Sequence, residues 1–232
     1  MSSFEEINDQ NFIVITTTLS HNFLADRRRT NLINEMKQVN VPVVFVYGKL
    51  RKGADEIAPI LTTNTRKCIM FFKNTNYKYA FICDDDFQPH KEFLQELNKT
   101  LAMLPENWRS LHLCPGYLWG RGFRRCKVAG KLDPEFDVSE YDKDESGRFF
   151  INCSKYAENG DYARVPNWLG GPVAVIVNRN SIDSFLEDFD RECIKDVQSN
   201  DVMFKRMLND NDFICREPLL GYENEQGGTT LW

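Results

Sequence analysis

Three consecutive aspartates follow an apolar segment of the chain. Asp84, Asp85 and Asp86 come directly after residues 79–83, which have the apolar character of a buried strand. Adjacent carboxylates repel one another and destabilise a fold unless a cation or water compensates them. Strand geometry places Asp84 and Asp86 on one side and Asp85 on the other. The pair predicts a site for a hard cation, Mg2+ or Mn2+, that leaves coordination positions for phosphate oxygens.

A simpler interpretation of the same aspartates needs no metal. Asp86 would cap a helix beginning near Pro89, and the other two carboxylates would be solvated. Capping requires only one carboxylate, so the run of three favours the metal site.

Hydroxyl and guanidinium groups follow the first predicted strand. The strand ends in Thr16, Thr17 and Thr18, and a helical pattern begins close to Arg27. Hydroxyls, backbone N–H groups and a guanidinium at this position can hold a base, a ribose or a phosphate. Arginines at a helix start oppose the helix dipole and favour a nearby anion, although an exposed charged turn explains them equally well. Arg66, on the helix before the aspartate strand, is a further candidate for this pocket.

Two later segments offer a ligand surface and a base. Gly170 and Gly171 precede the fifth predicted strand and would let the backbone approach a ligand, and Trp168 offers its ring face to a sugar. A simple turn and core packing explain these residues equally well. Asp201 stands at the start of the last helical pattern, where it serves either as a cap or as a general base.

The elements that must position these residues alternate along the chain. Apolar runs predict strands at 12–15, 43–46, 79–83, 111–113 and 173–177. Apolar residues spaced by three and four predict helices between them, around Leu32, Leu97 and Phe185. The expected fold is α/β, with a mostly parallel central sheet and helices on both faces, and ligands lie beyond the carboxyl ends of the strands in such folds.

Size and charge limit the class of protein. The chain has 232 residues and a net charge of -5, which favours one domain and argues against binding nucleic acid through bulk charge. The polar N-terminus and the lack of an apolar run of about 18 residues predict no membrane span. Seven dispersed cysteines without a CxxC pair are typical of reduced thiols, and we expect a cytoplasmic protein. The charged segment 131–164 either borders a site or is a surface insertion.

Together these motifs resemble the nucleotide-sugar-dependent glycosyltransferases of the GT-A fold. The run Asp84-Asp85-Asp86 is similar to the DxD motif of that family, Gly170-Gly171 with Val177-Asn178-Arg179 to its strand entry, and Ser199-Asn200-Asp201 to its acceptor-side acidic motif. The resemblance spans about residues 12–221. It is nearest in character to the lipopolysaccharide-type transferases of family 25 and to glycosyltransferase domains of large DNA viruses, in which case the compartment would be the host cytoplasm.

The resemblance implies one glycosyltransferase domain over residues 1–232. Its nucleotide-binding part would cover about residues 10–115 and its acceptor-side part about residues 116–232, and the sequence is compatible with a domain of a larger protein. The donor would be a nucleoside diphosphate sugar, of which a UDP-sugar is favoured, and the acceptor a glycan or glycoprotein contacted by Trp168. Nucleic acid is not an expected partner.

The resemblance also assigns roles to individual residues. Asp86 would coordinate Mn2+ or Mg2+ directly, Asp84 would contact the metal through water or bind the ribose, and Asp85 would contact ribose or donor sugar. Asp201 would deprotonate the acceptor hydroxyl, with inversion at the anomeric carbon preferred. Residues 16–18 would hold base and ribose.

One departure from the family and two other functions stay open. Many GT-A enzymes supply a later histidine ligand, but no histidine follows His112, so Glu223, Glu225 or water would replace it. A metal-dependent nucleotidyltransferase also uses paired aspartates, and the absence of a GxxxxGK loop argues only against a P-loop enzyme. A non-catalytic module that binds a nucleotide sugar or a glycan is the alternative from another class.

Overall fold

The computed structural model describes residues 5–19, 23–48, 57–85, 87–89, 92–113, 150–152, 174–195, 203–204, 206–215 and 221–223. The strands are β1 (Phe12–Leu19), β2 (Val43–Gly48), β3 (Tyr79–Asp84), β4 (Phe87–Pro89), β5 (Ser110–His112), β6 (Phe150–Asn152), β7 (Ala174–Asn178), β8 (Asp212–Cys215) and β9 (Gly221–Glu223). The helices are α1 (Phe23–Gln38), α2 (Ile57–Lys73), α3 (Phe93–Leu101) and α4 (Ile182–Lys195), and a 3-10 turn at Arg179–Ser181 precedes α4.

Seven strands form one mixed sheet in the order β2-β1-β3-β7-β5-β8-β6. The β1–β2, β1–β3 and β5–β8 pairs are parallel, whereas β7 is antiparallel to both β3 and β5, and β6 is antiparallel to β8. Five of the seven strands therefore point the same way. We call the edge where β1, β2 and β3 end the carboxyl edge, and the opposite one the amino edge.

Helices cover both faces of this sheet. On one face α1 and α3 pack against the strands through residues that include Leu32, Met36 and Leu97. On the other face α2 and α4 do so through residues that include Cys68 and Phe185. The predicted α/β architecture, with a mostly parallel sheet between two helical layers, is confirmed.

The predicted strands and helices are present with small shifts of their ends. All five predicted strands occur, at β1, β2, β3, β5 and β7. The alternation of side chains is also as expected, because Phe81 and Cys83 belong to the core on the α1 side and Ala80 and Ile82 to the core on the α2 side.

The helix expected near Pro89 begins later than predicted. Residues 87–89 form β4, which pairs with β9, and α3 starts at Phe93 with Glu92 as its N-cap. The interpretation of Asp86 as a cap for that helix is therefore wrong. Apolar residues at 87 and 89 fit a strand, but only pairing with a segment far along the chain produces one.

The structure partly tests the expectations for segment 131–164, for the cysteines and for membrane spans. The charged segment 131–164 contributes the edge strand β6 at 150–152, and its remaining residues lie outside those described. Cys68, Cys83 and Cys193 are free thiols, as expected. None of the described helices combines the length and apolar character needed to cross a bilayer.

Candidate functional site

The carboxyl edge brings several of the predicted site residues together. Thr17 of β1 lies beside Asp84 of β3 in the parallel register, and Thr18 lies beside Tyr47 of β2. Because β7 runs in the opposite direction, it begins at this edge, with Ala174 beside Cys83. Five residues assigned to the site from sequence lie outside the described part of the chain: Asp86, Trp168, Gly170, Gly171 and Asp201.

Asp85 is held inside the protein by two side chains. Its Oδ2 accepts a hydrogen bond of 2.9 Å from the Thr18 hydroxyl, and its Oδ1 accepts one of 3.1 Å from Arg28 Nη1. Arg28 and Asp85 are 7% and 6% exposed, so their charges are shielded from water and strongly coupled. The pair connects α1 to the turn that follows β3.

Arg29 extends this network to β2. Its Nη1 donates a 3.0 Å hydrogen bond to the Thr18 hydroxyl, its other terminal nitrogen pairs with Asp26, and its guanidinium lies 5.7 Å from the ring centre of Tyr47. The Thr18 hydroxyl thus accepts from Arg29 and donates to Asp85. One hydroxyl links the ends of β1 and β3 to α1.

These contacts supply the anion that the arginines were expected to need. Helix α1 starts at Phe23, so the arginines lie in its second turn, and carboxylates of the chain itself face Arg28 and Arg29. Arg27 is exposed. The arginine cluster therefore has an internal structural explanation and is not by itself evidence of a bound phosphate.

Asp84 occupies the opposite side of the strand end. It is half-buried at the last position of β3, and it faces the α2 side as Ile82 does. Burial raises the pKa of the Cys68 thiol on α2, and the negative charge of Asp84 raises it further. The predicted alternation of Asp84 and Asp85 is confirmed.

The donor set at this edge suits a hard divalent cation in type. Carboxylate oxygens are the ligands that Mg2+ prefers, and a metal that binds substrate phosphates takes only one or two of them from the protein. Within the described residues no group of three side chains of the His, Cys, Asp or Glu type is placed to hold a metal ion. A cation here would depend on Asp84, on Asp86 and on ligand oxygens.

The three threonines of β1 have different environments. Thr16 is fully buried, and its hydroxyl donates to the carbonyl of Thr17 at 3.3 Å. Thr18 is committed to Asp85 and Arg29. Thr17 lies beside Asp84 and is partly exposed, whereas Thr16 and Thr18 are buried.

Arg66 is engaged away from the aspartates. Its Nε and Nη2 donate to the two carboxylate oxygens of Asp190 on α4, at 2.6 and 2.8 Å, and the pKa of Arg66 is raised mainly by this bond. The described contacts tie Arg66 to the packing of α2 against α4. Similarly, Arg179 of the Val177-Asn178-Arg179 segment lies at the amino edge, where it donates to the carbonyls of Phe72 and Lys73.

A second buried charged cluster was not anticipated from sequence. At the amino edge Arg109 donates to Asp212 of β8, Asp188 of α4 and the carbonyl of Met207. The Ser110 hydroxyl also donates to Asp212, at 2.6 Å. The only sequence signal is a charged residue beside each of two short apolar runs, since Arg109 precedes β5 and Asp212 is the first residue of β8, and β8 itself was not predicted.

His112 extends from this cluster along β5. Its Nε2 lies 3.4 Å from the Ser110 hydroxyl, and its ring meets that of Phe204 edge-on at 5.8 Å. Burial lowers the pKa of His112 to about 4, opposed by the Asp212 charge and assisted by Arg109. The imidazole is therefore neutral at neutral pH and serves packing.

No protein-family model matches the chain, and no curated protein shows significant sequence similarity to it.

Proposed function

We propose that the protein is a metal-dependent glycosyltransferase of the GT-A type that uses a nucleoside diphosphate sugar, preferentially a UDP-sugar. The observation that carries the proposal is the acidic run at the end of β3, at the carboxyl edge of a mostly parallel sheet and beside the threonine-rich end of β1. Ligands of such sheets bind at this edge.

The charge of the chain is consistent with a metal-mediated ligand. A protein of net charge -5 does not attract a diphosphate by itself. Asp84 and Asp86 would hold a divalent cation, which would reverse the local sign and let the acidic edge bind phosphate oxygens. A metal there would supply Lewis-acid stabilisation of the leaving diphosphate.

Other residues of the chain would bind the donor and the acceptor and transfer the proton. Thr17, which lies beside Asp84 and is partly exposed, would contact the ribose. Trp168 would stack on the acceptor sugar, and Gly170 with Gly171 would let backbone approach the donor. Asp201 would accept the proton of the acceptor hydroxyl. The oxygen of that hydroxyl would form a bond to the anomeric carbon while the bond from this carbon to the diphosphate breaks.

A thermal-shift experiment with nucleotides tests donor binding. The full chain is heated with UDP, UDP-sugars and other nucleotide sugars, with and without Mn2+. A ligand at one hundred times its dissociation constant stabilises the folded state by about 2.7 kcal/mol, and we expect this shift only when metal and nucleotide are both present. Asp84→Asn should remove it. Asp183→Asn is the matched control, because Asp183 is an exposed carboxylate on α4 that pairs with Lys73. No stabilisation by any nucleotide would contradict the proposal.

Product analysis then separates the functions that share this site. Transfer of the sugar to an acceptor supports the glycosyltransferase, whereas release of pyrophosphate indicates a nucleotidyltransferase. Asp201→Asn should abolish transfer and retain donor binding. If the wild-type chain binds donor but transfers sugar to no member of a broad acceptor panel, it is a binding module.

A further inference from the structure

We infer that Thr18 and Arg28 are positioning residues, which hold Asp85 out of the ligand site and so fix the direction of the neighbouring Asp84. The inference rests on the proposed function, because it concerns how the acidic run is presented to a metal and a diphosphate. It also changes the role of Asp85, which the family resemblance assigns to donor contact.

The first step of the argument is the geometry of Asp85. Its carboxylate oxygens accept hydrogen bonds from Thr18 at 2.9 Å and from Arg28 at 3.1 Å. The carboxylate is 6% exposed and faces the α1 side of the sheet. A group bound in this way is directed into the protein and is poorly placed to reach a ligand beyond the carboxyl edge.

The second step is electrostatic. Three adjacent carboxylates repel one another, and the repulsion is largest when their charges are shielded from water. The buried guanidinium of Arg28 neutralises the middle charge at 3.1 Å. The pairing with Arg28 therefore reduces the repulsion that Asp85 exerts on the adjacent Asp84.

The third step is that the directions of the Asp84 and Asp85 side chains depend on each other. Asp85 points to α1 and Asp84 to α2, so holding one carboxylate sets the rotation of the strand end for the other. Thr18 is itself held by Arg29, which also contacts Tyr47 on β2. Asp85 is therefore held, directly or through Thr18, by residues of β1, α1 and β2, and such supporting contacts orient metal ligands and strengthen binding.

The test is a binding titration of the full chain with Mn2+, alone and with UDP. Electron paramagnetic resonance measures the concentration of free Mn2+. Thr18→Val keeps the shape of the side chain and removes the hydroxyl, and we expect the Mn2+ dissociation constant to rise about tenfold. Thr18→Ser restores the hydroxyl and should restore affinity. Thr75→Val is the matched control, since its hydroxyl makes a 2.8 Å bond to the Phe72 carbonyl at the amino edge, and it should stay within about twofold of wild type.

A double variant tests whether Asp85 itself binds the metal. Arg28→Gln with Asp85→Asn removes both charges together and keeps hydrogen-bonding groups at both positions, so no buried charge is left alone. A dissociation constant within about threefold of wild type supports positioning. A loss as large as that of Asp84→Asn would make Asp85 a ligand and overturn the inference.

The Mn2+ binding results distinguish a failure of the positioning role from a failure of the proposed function. If wild type binds Mn2+ with UDP and Thr18→Val binds equally well, the positioning role is wrong and the proposed function stands. If wild type binds no Mn2+ under either condition, both are wrong. Thermal unfolding of each variant confirms that affinity is compared between folded chains.

Discussion

The guanidinium of Arg109 donates two hydrogen bonds to the carboxylate of Asp212, one of them from Nε at 2.9 Å. The two side chains are 3% and 1% exposed, and Asp188 and the Met207 carbonyl accept the remaining bonds described. This arrangement joins β5, β8 and α4 at the amino edge. Its buried hydrogen bonds between separate elements favour a structural role, and it lies at the opposite end of the strands from the acidic run.

Asp212→Asn should therefore destabilise the protein strongly. Removing one partner of a buried ion pair leaves the other charge poorly compensated, and we expect a loss of about 3 kcal/mol in the free energy of unfolding, measured in urea. Asp190→Asn is the control, since it breaks the half-exposed pair with Arg66 and should cost at most about 1 kcal/mol. Equal losses in the two variants would contradict the structural role of the buried network.

His112 predicts a pH dependence of stability. Its pKa in the folded protein is about 4, against an ordinary value of 6.5, with burial as the main cause. Between these values the unfolded chain binds a proton that the folded chain does not, so the contribution is complete above about pH 6.5 and is lost as pH falls towards about 4. The loss amounts to at most about 3 kcal/mol.

Comparison with His112→Gln isolates this contribution from that of the carboxylates. Urea unfolding at a series of pH values should show a shallower decline between about pH 6.5 and pH 4 in the variant than in wild type. NMR titration of the His112 ring gives its pKa directly. Parallel declines of wild type and variant would show that His112 titrates normally.

Asp84 and Asp85 should respond differently to the same substitution. Asp84 is half-buried beside another carboxylate, so we expect Asp84→Asn to lower the melting temperature less than Asp85→Asn does. Asp85→Asn leaves the buried Arg28 charge without its carboxylate partner and should cost about 3 kcal/mol. Thermal unfolding of the two variants without metal makes the comparison, and a similar decrease in both would mean that Asp84 is also a structural carboxylate.

Gly48 predicts a steric effect at the end of β2. A Cβ atom on Gly48 would lie 2.2 Å from Asn64 Nδ2 and 3.0 Å from its Cγ, and Asn64 is buried on α2. Gly48→Ala must displace that side chain, with an expected cost of about 1 to 3 kcal/mol. In a double-mutant cycle, Asn64→Ala should relieve most of the cost. Additive losses would show that the two residues do not meet.

Local patterns explain what could be predicted from the sequence. The five strands and the amphipathic helices follow from runs and spacings of apolar residues, and the opposite directions of Asp84 and Asp85 follow from strand geometry. The short strands β4 and β9 could not be predicted, because each is defined by pairing with a segment distant in sequence.

The partners of buried charged residues also could not be predicted from the sequence. The sequence left two interpretations of the arginines of α1 open, a nearby anion or an exposed charged turn. Arg28 and Asp85 are 57 residues apart, so nothing local identified the carboxylate. Arg109 and Asp212 are 103 residues apart, and neither has a local pattern that distinguishes it from a surface residue. Charge pairing depends on topology, which a single sequence does not define.

The position of β7 has a consequence for folding. Strands β2, β1 and β3 come from residues before 85, and β7 joins them to β5, β8 and β6 although it follows β6 in the chain. The middle of the sheet is therefore made from a late segment, and its contacts span long stretches of sequence, which slows folding. During synthesis, the strand that carries Asp84 gains its second neighbour only after residue 178 has left the ribosome, so the acidic edge is completed late.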